Sequence, residues 1–450
     1  MSKRKAAAAG ARAAAAPRAR AKKPGAKPAA SSGTGQPSAS FVEVRMYNVG
    51  FGDCFLLRVP APGGGIKNML VDCGYHSHGK GPFTDAKLVE QIQEHLNGQP
   101  LSVVVATHRH QDHISGFGQS LWKKIPVEEV WLPFTAHAEA ARDEPALAAW
   151  EALRASVSSL VDDQGRLVPA LAGTLPAVSK DQLEELESCL WNARTNADGM
   201  ENLLQGMKRA DGGPARRRFL PPKGRDVPWQ FESEALPGVK VHVLGPTRDP
   251  EHRRGLAVPV DWAMLGRAAA ATAGAPGPFG PEWRMAKLPP RLPFTKASLE
   301  TIRKFNDGLF HAASAVDSFV NGESVVLLLE VGAARLLLAG DAEVGAWTKI
   351  LEDDAARALA SSLTFFKVAH HGSRNATPLP FVRENLNART PVMISTQEGA
   401  GPFRRGIPLT ALLEELAKCG APTARSDRPQ EARSFEASDD GLWIDCKVPC

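Results

Sequence analysis

The fold of this chain is decided by one stretch, VVVATHRHQDHISG at residues 103–116. A β-branched apolar run ends there in three histidines and one aspartate within six residues. An apolar run closed by polar turn residues predicts a buried strand, and α/β enzymes keep their sites where such strands end. The stretch therefore predicts an α/β fold with a functional site at the end of this strand.

The spacing of these polar residues suits metal binding. His108 and His110 are two residues apart, so in extended chain both imidazoles point the same way and could hold one ion. Asp112 and His113 follow where the chain should turn, and we expect them to face a second ion. Mixed imidazole and carboxylate ligands favour zinc, with manganese or iron as alternatives. The alternative is a chance surface cluster, and four ligand-type residues in this order after a strand speak against it.

Two later strands are predicted to end in similar residues. An apolar run leads into Asp341, which we expect to be a ligand rather than a turn aspartate. Another leads into His370 and His371, of which one should be a ligand. We favour His371; adjacent side chains diverge, so His370 should lie beside the metal or face the substrate. Ser373 and Arg374 follow directly and are candidates for contact with a substrate phosphate, although such residues are commonly just solvated.

The H-x-H-x-D-H pattern of residues 108–113 resembles the metallo-β-lactamase superfamily. Four further segments resemble its ComEC/Rec2-like branch, in chain order NVGFGDC (48–54), NGESVVL (321–327), LAGDAE (338–343) and KVAHHGS (367–373). There are departures: Phe51 stands where the branch has Gln, and Ile407 stands where it often has His before Pro. The competence protein that names the branch has membrane helices, whereas this sequence has no apolar run of the ~18 residues that a span needs. We expect a free-standing, soluble relative.

The resemblance implies an α/β metallo-β-lactamase αββα sandwich, in which two mixed β-sheets are flanked by helices. It implies two divalent metal ions, Zn²⁺ or alternatively Mn²⁺. His108 and His110 would hold the first ion, Asp341 would bridge, and the second ion would be held by Asp112, His113 and His371. Asp72 matches the first motif aspartate, which orients the metal loop, so the catalytic set is Asp72, Asp112 and Asp341. The third-motif histidine, which completes the first site, is His242 or His137, or is absent.

The activity implied by the resemblance is that of a metal-dependent hydrolase. The most specific expectation is a phosphodiesterase or nuclease that uses a hydroxide bridging the two metal ions. The alternatives are a hydrolase of small phosphoesters or lactones, and a metal-binding, DNA-associated protein with little catalysis. Fold alone does not choose among these substrates.

Composition separates a basic tail from a mildly acidic body. Residues 1–42 carry nine Lys and Arg and no Asp or Glu, whereas the remaining chain has 45 basic and 49 acidic residues. We expect residues 1–40, which are rich in Ala, Lys, Arg and Pro, to be disordered and to be able to contact nucleic acid. A solubilising linker and an organellar transit peptide are the alternatives, and a secretory signal is excluded by the lack of an apolar segment.

The body, residues 41–450, is expected to form one domain with insertions at about 138–230 and 248–298 that the resemblance does not cover. Residues 208–230 are expected to form an exposed basic loop around Arg216, Arg217 and Arg218. Six cysteines without C-x-x-C spacing argue for a reducing, cytoplasmic location.

Overall fold

The fold is described by a computed structural model over residues 40–76, 79, 81–158, 196–250, 252–253, 315–400 and 406–450. The tail expected at 1–40 and the insertion expected at 248–298 lie outside this part of the chain, apart from residues 40, 248–250 and 252–253.

The first sheet has eight strands in the described residues. They are β1 (Phe41–Tyr47), β2 (Cys54–Pro60), β3 (Ile66–Cys73), β4 (Leu101–Val105), β5 (Val127–Pro133), β6 (Arg216–Leu220), β14 (Glu436–Ala437) and β15 (Trp443–Pro449). Their order is β14-β15-β1-β2-β3-β4-β5-β6. The pairs from β3 to β6 are parallel and the others are antiparallel, so the sheet is mixed.

The second sheet has seven strands in the same part of the chain. They are β7 (Trp229–Ser233), β8 (Leu236–Gly245), β9 (Val326–Val331), β10 (Ala334–Leu338), β11 (Phe365–Lys367), β12 (Val392–Ile394) and β13 (Thr423–Arg425). Their order is β13-β12-β11-β10-β9-β8-β7, parallel from β10 to β13 and antiparallel from β7 to β10.

The two sheets pack face to face and helices cover their outer faces. Val103 and Val105 of β4 lie in one core cluster with Leu327 and Leu329 of β9, between the sheets. Val104 points the other way, into a cluster with the helix Asp85–Leu96. Both faces of β4 are therefore buried, which explains why its sequence is continuously apolar.

The second sheet repeats this arrangement on its own outer face. Leu328 and Leu337 pack there against Trp347 and Ile350 of the helix Val344–Glu352. The result is the αββα sandwich of the metallo-β-lactamase fold, as predicted. The described α-helices are Asp85–Leu96, Gln111–Ile114, Ala140–Asp143, Pro145–Ser158, Ala197–Glu201, Val344–Glu352, Asp354–Ala360, Leu379–Asn385 and Thr410–Lys418, and residues 315–321 are also helical.

One expectation about local structure is wrong. Residues 208–230 do not form an open loop, because Arg216–Leu220 is β6 and Trp229 begins β7. Arg216 and Arg218 lie 3.2 and 3.7 Å from carboxylate oxygens of Glu129 on the neighbouring strand β5. These ion pairs between neighbouring strands stabilise the basic segment as a strand, whereas its composition alone is typical of an exposed loop.

None of the described helices is both long enough and apolar enough to cross a membrane.

Candidate metal centre

The predicted ligands come together where the carboxyl ends of strands from both sheets meet. The metal loop, residues 107–116, follows β4, and Asp341 follows β10. His370 and His371 follow β11, which is parallel to β10 and therefore ends at the same edge. Nε2 of His371 lies 3.2 Å from Oδ2 of Asp112, which joins the two sheets at the site.

The metal loop is seated closely against the end of β3. The backbone N–H of Asp53 donates to the carbonyl oxygen of Asp112 at 2.9 Å. A Cβ on Gly74 would lie 2.7 Å from the carbonyl carbon of Asp112, a distance that side chains do not reach. Glycine at position 74 therefore allows the loop to lie directly on the strand end.

Four buried side chains form a tight group with the ligand chemistry of a metal site. One ligand atom each from Asp112, His113, Asp341 and His371 lies within 4.8 Å of the others. This is the set expected for the second ion, together with the expected bridging aspartate.

His108 and His110 flank this group, as expected for a first ion. Nε2 of His108 lies 3.1 Å from Nδ1 of His110 and 4.0 Å from Oδ2 of Asp341. Two nitrogens bound to one tetrahedral zinc ion at the usual bond length would be roughly 3.3 Å apart. The pair therefore has the spacing to share an ion, with His110 using Nδ1.

Asp341 occupies the centre of the arrangement. Its Oδ2 lies 3.1 Å from Nε2 of His113, 3.4 Å from Nε2 of His371 and 3.9 Å from Nε2 of His370. The same oxygen is the one near His108. An oxygen that faces the ligands of both expected ions is placed as a bridging ligand would be.

Hydrogen bonds fix which nitrogen of each histidine faces the centre. Asp72 accepts from Nδ1 of His113 at 2.8 Å, and from the backbone N–H and the hydroxyl of Thr107, both at 2.7 Å. Nδ1 of His371 donates to the carbonyl oxygen of Ser395 at 2.9 Å. Nε2 of each ring is thereby left to bind metal, which is how metal-binding histidines are commonly oriented. Asp72 acts on the metal loop by hydrogen bonds, as the sequence suggested.

The buried polar atoms at the centre fit a divalent cation. Among the described residues, Nε2 of His113, Oδ1 of Asp112 and Oδ1 of Asp341 are buried without a hydrogen-bond partner. Each such atom costs about 1–3 kcal/mol of folding free energy unless something satisfies it. Imidazole nitrogens and carboxylate oxygens that converge in this way are suited to zinc or a similar ion.

Both histidines of the 370–371 pair reach the centre. Their backbone φ angles are 47° and 53°, in the left-handed region that side chains rarely adopt. Two consecutive residues in this conformation bring both rings toward Asp341, with 6.0 Å between the ring centroids. Such backbone strain is concentrated at functional sites. His370 was expected to lie beside the metal or to face the substrate, and only His371 joins the tight group.

Neither candidate for the third-motif histidine is part of the described centre. His242 lies on β8, and its Nε2 is 3.1 Å from Oε2 of Glu330 on β9. The exposed His137 packs edge-on against Phe219 at 4.7 Å between ring centroids. The sequence placed His242 correctly on a strand but could not show that its partner is a carboxylate of the next strand.

The two weak substrate candidates directly follow the His370–His371 pair and Gly372 in the chain. The hydroxyl of Ser373 donates to Oδ1 of Asn375 at 2.7 Å, so it has a structural partner. Arg374 is exposed, and in the described part of the chain no ion pair engages it. Of the two, Arg374 has the side chain that a phosphate could meet.

Three residues beneath the centre were not singled out from the sequence, although they lie within the motif segments. Lys367 is 3% exposed and forms an ion pair with Asp53. Its Nζ also donates to the carbonyl oxygen of Gly340 at 2.9 Å and lies 3.8 Å from Oδ1 of Asp341. Glu343 is 1% exposed and lies beside His370. Their membership in the segments that resemble the ComEC/Rec2-like branch was the signal that could have found them.

Burial and neighbouring charges determine the protonation states of the histidines at the centre when no metal is bound. Burial disfavours a charged His371, but the carboxylates of Asp341 and Asp112 outweigh it and raise the pKa of His371 to about 10. Burial likewise opposes charge on His113, and Asp341, Asp72 and Asp112 raise the pKa of this imidazole well above its usual value. By contrast, burial lowers the pKa of His110 to about 3, so this ring is neutral.

We expect metal binding at pH 7 to release about two protons per chain, from His113 and His371, because a ligating imidazole must be neutral. The apparent metal affinity should rise with pH until about 10, where His371 deprotonates without metal. The folding stability of the metal-free protein depends on pH in the opposite direction. The charged His371 contributes its full stabilisation below the pKa of about 6.5 that it has in the unfolded chain, and this contribution is lost as pH rises through 10. Isothermal titration calorimetry with zinc in two buffers of different ionisation enthalpy measures the protons released. Equal heats in both buffers would contradict this charge distribution.

Comparison with known proteins agrees with this geometry. Residues 47–141 match the family model of the metallo-beta-lactamase superfamily. No curated protein matches the chain. The matched segment contains Asp72 and the metal loop, while Asp341 and the two later histidines lie beyond it and are brought to the loop by the fold. The superfamily and the His/Asp cluster together indicate divalent metal binding and a metal-dependent hydrolase. Residues 47–141 of this chain are thus similar to the metallo-beta-lactamase superfamily.

Proposed function

We propose that the chain is a metal-dependent phosphodiesterase whose substrate is nucleic acid. One observation carries this proposal: the four segments that resemble the ComEC/Rec2-like branch, distant in sequence, meet at the metal centre. Asp53 from the first segment pairs with Lys367 from the last. Nδ2 of Asn321 from the second donates to Oε1 of Glu343 from the third at 2.9 Å. Segments that meet at one site support a shared role, and the branch they resemble is named for DNA uptake.

Phe51, which departs from the pattern of the branch, also lies at the centre. Its ring centroid is 4.5 Å from that of His371. The aromatic ring replaces a polar amide beside a metal-site histidine, and it excludes water from that side of the imidazole. This substitution supports a difference in substrate access from other members of the branch rather than a loss of the metal site.

The residues of the centre have different roles in the proposed hydrolysis. Divalent ions bound here would lower the pKa of a water molecule and offset charge on a phosphate. Asp112, His113, His371 and Asp341 supply the ligand atoms, while Asp72 and the Ser395 carbonyl hold two of the rings in place. Arg374, an exposed residue three positions after His371, would contact a substrate phosphate.

The basic tail supports a nucleic-acid substrate independently of the centre. Residues 1–40 carry nine Lys and Arg and no acidic residue. Such a segment binds phosphate backbones without sequence preference and in a salt-dependent manner. We propose that it tethers the domain at 41–450 to its substrate. Unchanged retention on DNA after deletion of residues 1–40 would contradict this role.

We also propose a cytoplasmic location. Among the described residues, Cys54, Cys73, Cys419, Cys446 and Cys450 are free thiols. Cys54 and Cys73 lie opposite each other on β2 and β3 and are still unbridged. Free thiols fit a reducing compartment.

The test is the metal content of the purified full chain, followed on the same sample by cleavage of labelled single-stranded DNA, double-stranded DNA, RNA and bis-(p-nitrophenyl) phosphate. About two ions per chain with cleavage of a polynucleotide is the expected result. Two ions with turnover of only the small ester, or of a lactone, would assign a small-molecule hydrolase instead. One ion or none, and no turnover after zinc or manganese is added, would indicate a metal-binding protein without catalysis.

A further inference from the structure

Among the residues that the structure describes, only His108 and His110 have so far been assigned to the first metal site alone. His108 and His110 bring two nitrogens to within 3.1 Å of each other, and Asp341 can be shared with the second ion. The two histidines considered for the third motif lie elsewhere in the described structure, His242 against Glu330 and His137 against Phe219. A site with two imidazoles and one shared carboxylate would hold its ion weakly.

We propose that His370 supplies a third ligand to the first ion and that Glu343 orients this histidine. The two adjacent histidines would then serve different ions, His371 the second and His370 the first. This inference rests on the metal-binding part of the proposed function and not on the identity of the substrate.

His370 shares its neighbours with the two histidines of the first site: it lies near the same oxygen of Asp341 as His108, and it interacts electrostatically with His110. Its Nε2 lies 3.9 Å from Oδ2 of Asp341, and Nε2 of His108 lies 4.0 Å from the same oxygen. His371 approaches this oxygen more closely, at 3.4 Å, and is also 3.2 Å from Asp112, a ligand of the second ion. The left-handed backbone of both residues makes this division possible, since ordinary extended backbone would send the two rings to opposite sides.

Glu343 lies behind the outer nitrogen of His370. Oε1 of Glu343 is 3.5 Å from Nδ1 of His370 and accepts hydrogen bonds from Nδ2 of Asn321 at 2.9 Å and of Asn375 at 2.7 Å. The two amides hold the carboxylate in place at the start of the helix Val344–Glu352. Metal-binding histidines commonly donate their second N–H to a carboxylate held in this way.

The contact between His370 and Glu343 is incomplete as it stands. In the described structure, Nδ1 of His370 and Oε2 of Glu343 are buried without a hydrogen-bond partner. Glu343 is 1% exposed. Neither of these atoms belongs to the tight group of the second ion. An ion bound to Nε2 of His370 would fix its proton on Nδ1, where Glu343 can accept it.

The resulting donor set is chemically coherent. The first ion would have imidazole nitrogens from His108, His110 and His370 and an oxygen from Asp341. Three histidines with one further oxygen form a common tetrahedral arrangement for zinc. The second ion would keep Asp112, His113, His371 and the same bridging aspartate.

The test compares metal content and cobalt spectra of the full-length protein and four variants. After dialysis against metal-free buffer, wild type loaded with Zn²⁺ should retain two ions per chain and His370→Ala should retain one. Glu343→Gln, a positioning variant, should still take two ions, with about 10–100-fold weaker binding of one of them. Co²⁺ substitution should show one of two visible absorption bands lost in His370→Ala and shifted in Glu343→Gln.

His242→Ala and His137→Ala are the matched controls and should both retain two ions with unchanged spectra. The proposal is overturned if His370→Ala keeps two ions at wild-type affinity, if His242→Ala or His137→Ala loses one, or if wild type itself binds only one. A His370→Ala protein that fails to fold leaves Glu343→Gln to decide, since unchanged affinity and spectrum in that variant would also overturn it. Absence of nuclease activity with two ions bound would contradict the proposed substrate and leave this assignment intact.

Discussion

Replacing Asp341 with alanine should remove both metal ions and reduce hydrolysis by at least about 10²–10³-fold, the effect of losing one preorganised charged group in an active site. The reason is its central position: a single oxygen lies within 4.0 Å of nitrogens from His108, His113, His370 and His371. Loss of this oxygen takes a ligand from each ion at once. Metal content by mass spectrometry and turnover of the best substrate found for wild type are the measurements.

Two control variants separate charge from shape. Asp341→Asn keeps the size of the side chain and removes its charge, so it should lose metal nearly as fully as Asp341→Ala. Asp439→Ala changes an exposed aspartate on a distant turn and should leave metal content and rate unchanged. If Asp341→Ala kept one tightly bound ion and most of its activity, the bridging role would have to be abandoned.

Replacing Lys367 with methionine should destabilise the fold by about 3–5 kcal/mol, the usual effect of breaking a buried ion pair from one side. Burial opposes the charge of Lys367, but the carboxylates of Asp53 and Asp341 raise the pKa of its ammonium group above the usual value. Lys367 and Asp53 are 3% and 1% exposed, so removal of the lysine leaves a carboxylate buried without its counter-charge. The free energy of unfolding of the metal-free protein, from urea titration, measures the effect.

The same substitution at an exposed lysine provides the control. Lys447 contacts Glu436 at 2.8 Å on the surface, and Lys447→Met should leave the urea midpoint nearly unchanged. The double variant Lys367→Met with Asp53→Asn should recover part of the lost stability, because the remaining buried carboxylate is then neutral. A Lys367→Met protein as stable as wild type would show that water or a rearranged partner compensates Asp53.

Much of the fold was predictable because several strands are specified by patterns of neighbouring residues. The apolar runs that became β4 and β10 end in turn residues and lead into the metal loop and Asp341, as their patterns indicated. The polar residues at strand ends could be recognised as candidate metal ligands by their type, their spacing and their resemblance to a known superfamily. The sandwich itself followed from the resemblance of these segments to a known superfamily.

The errors and omissions have a common physical origin. The strand β6 was missed because two of its arginines, Arg216 and Arg218, pair with Glu129, a residue far away in the sequence. Lys367 and Asp53 are separated by more than 300 residues, and only packing of the two sheets brings them together. A side chain's partner depends on which strands are neighbours and on which face it lies, and neither is a local property.

The sequence by itself determined where the strands that lead into the site end and which residues there are candidate metal ligands, because periodicity, turn residues and ligand chemistry act over a few neighbouring residues. Only the tertiary structure decided that His242 faces Glu330, that both His370 and His371 reach Asp341, and that Glu343 lies behind His370. These contacts arise where the ends of two sheets meet. Backbone conformation and long-range packing direct the side chains there, and no spacing rule along the chain specifies either.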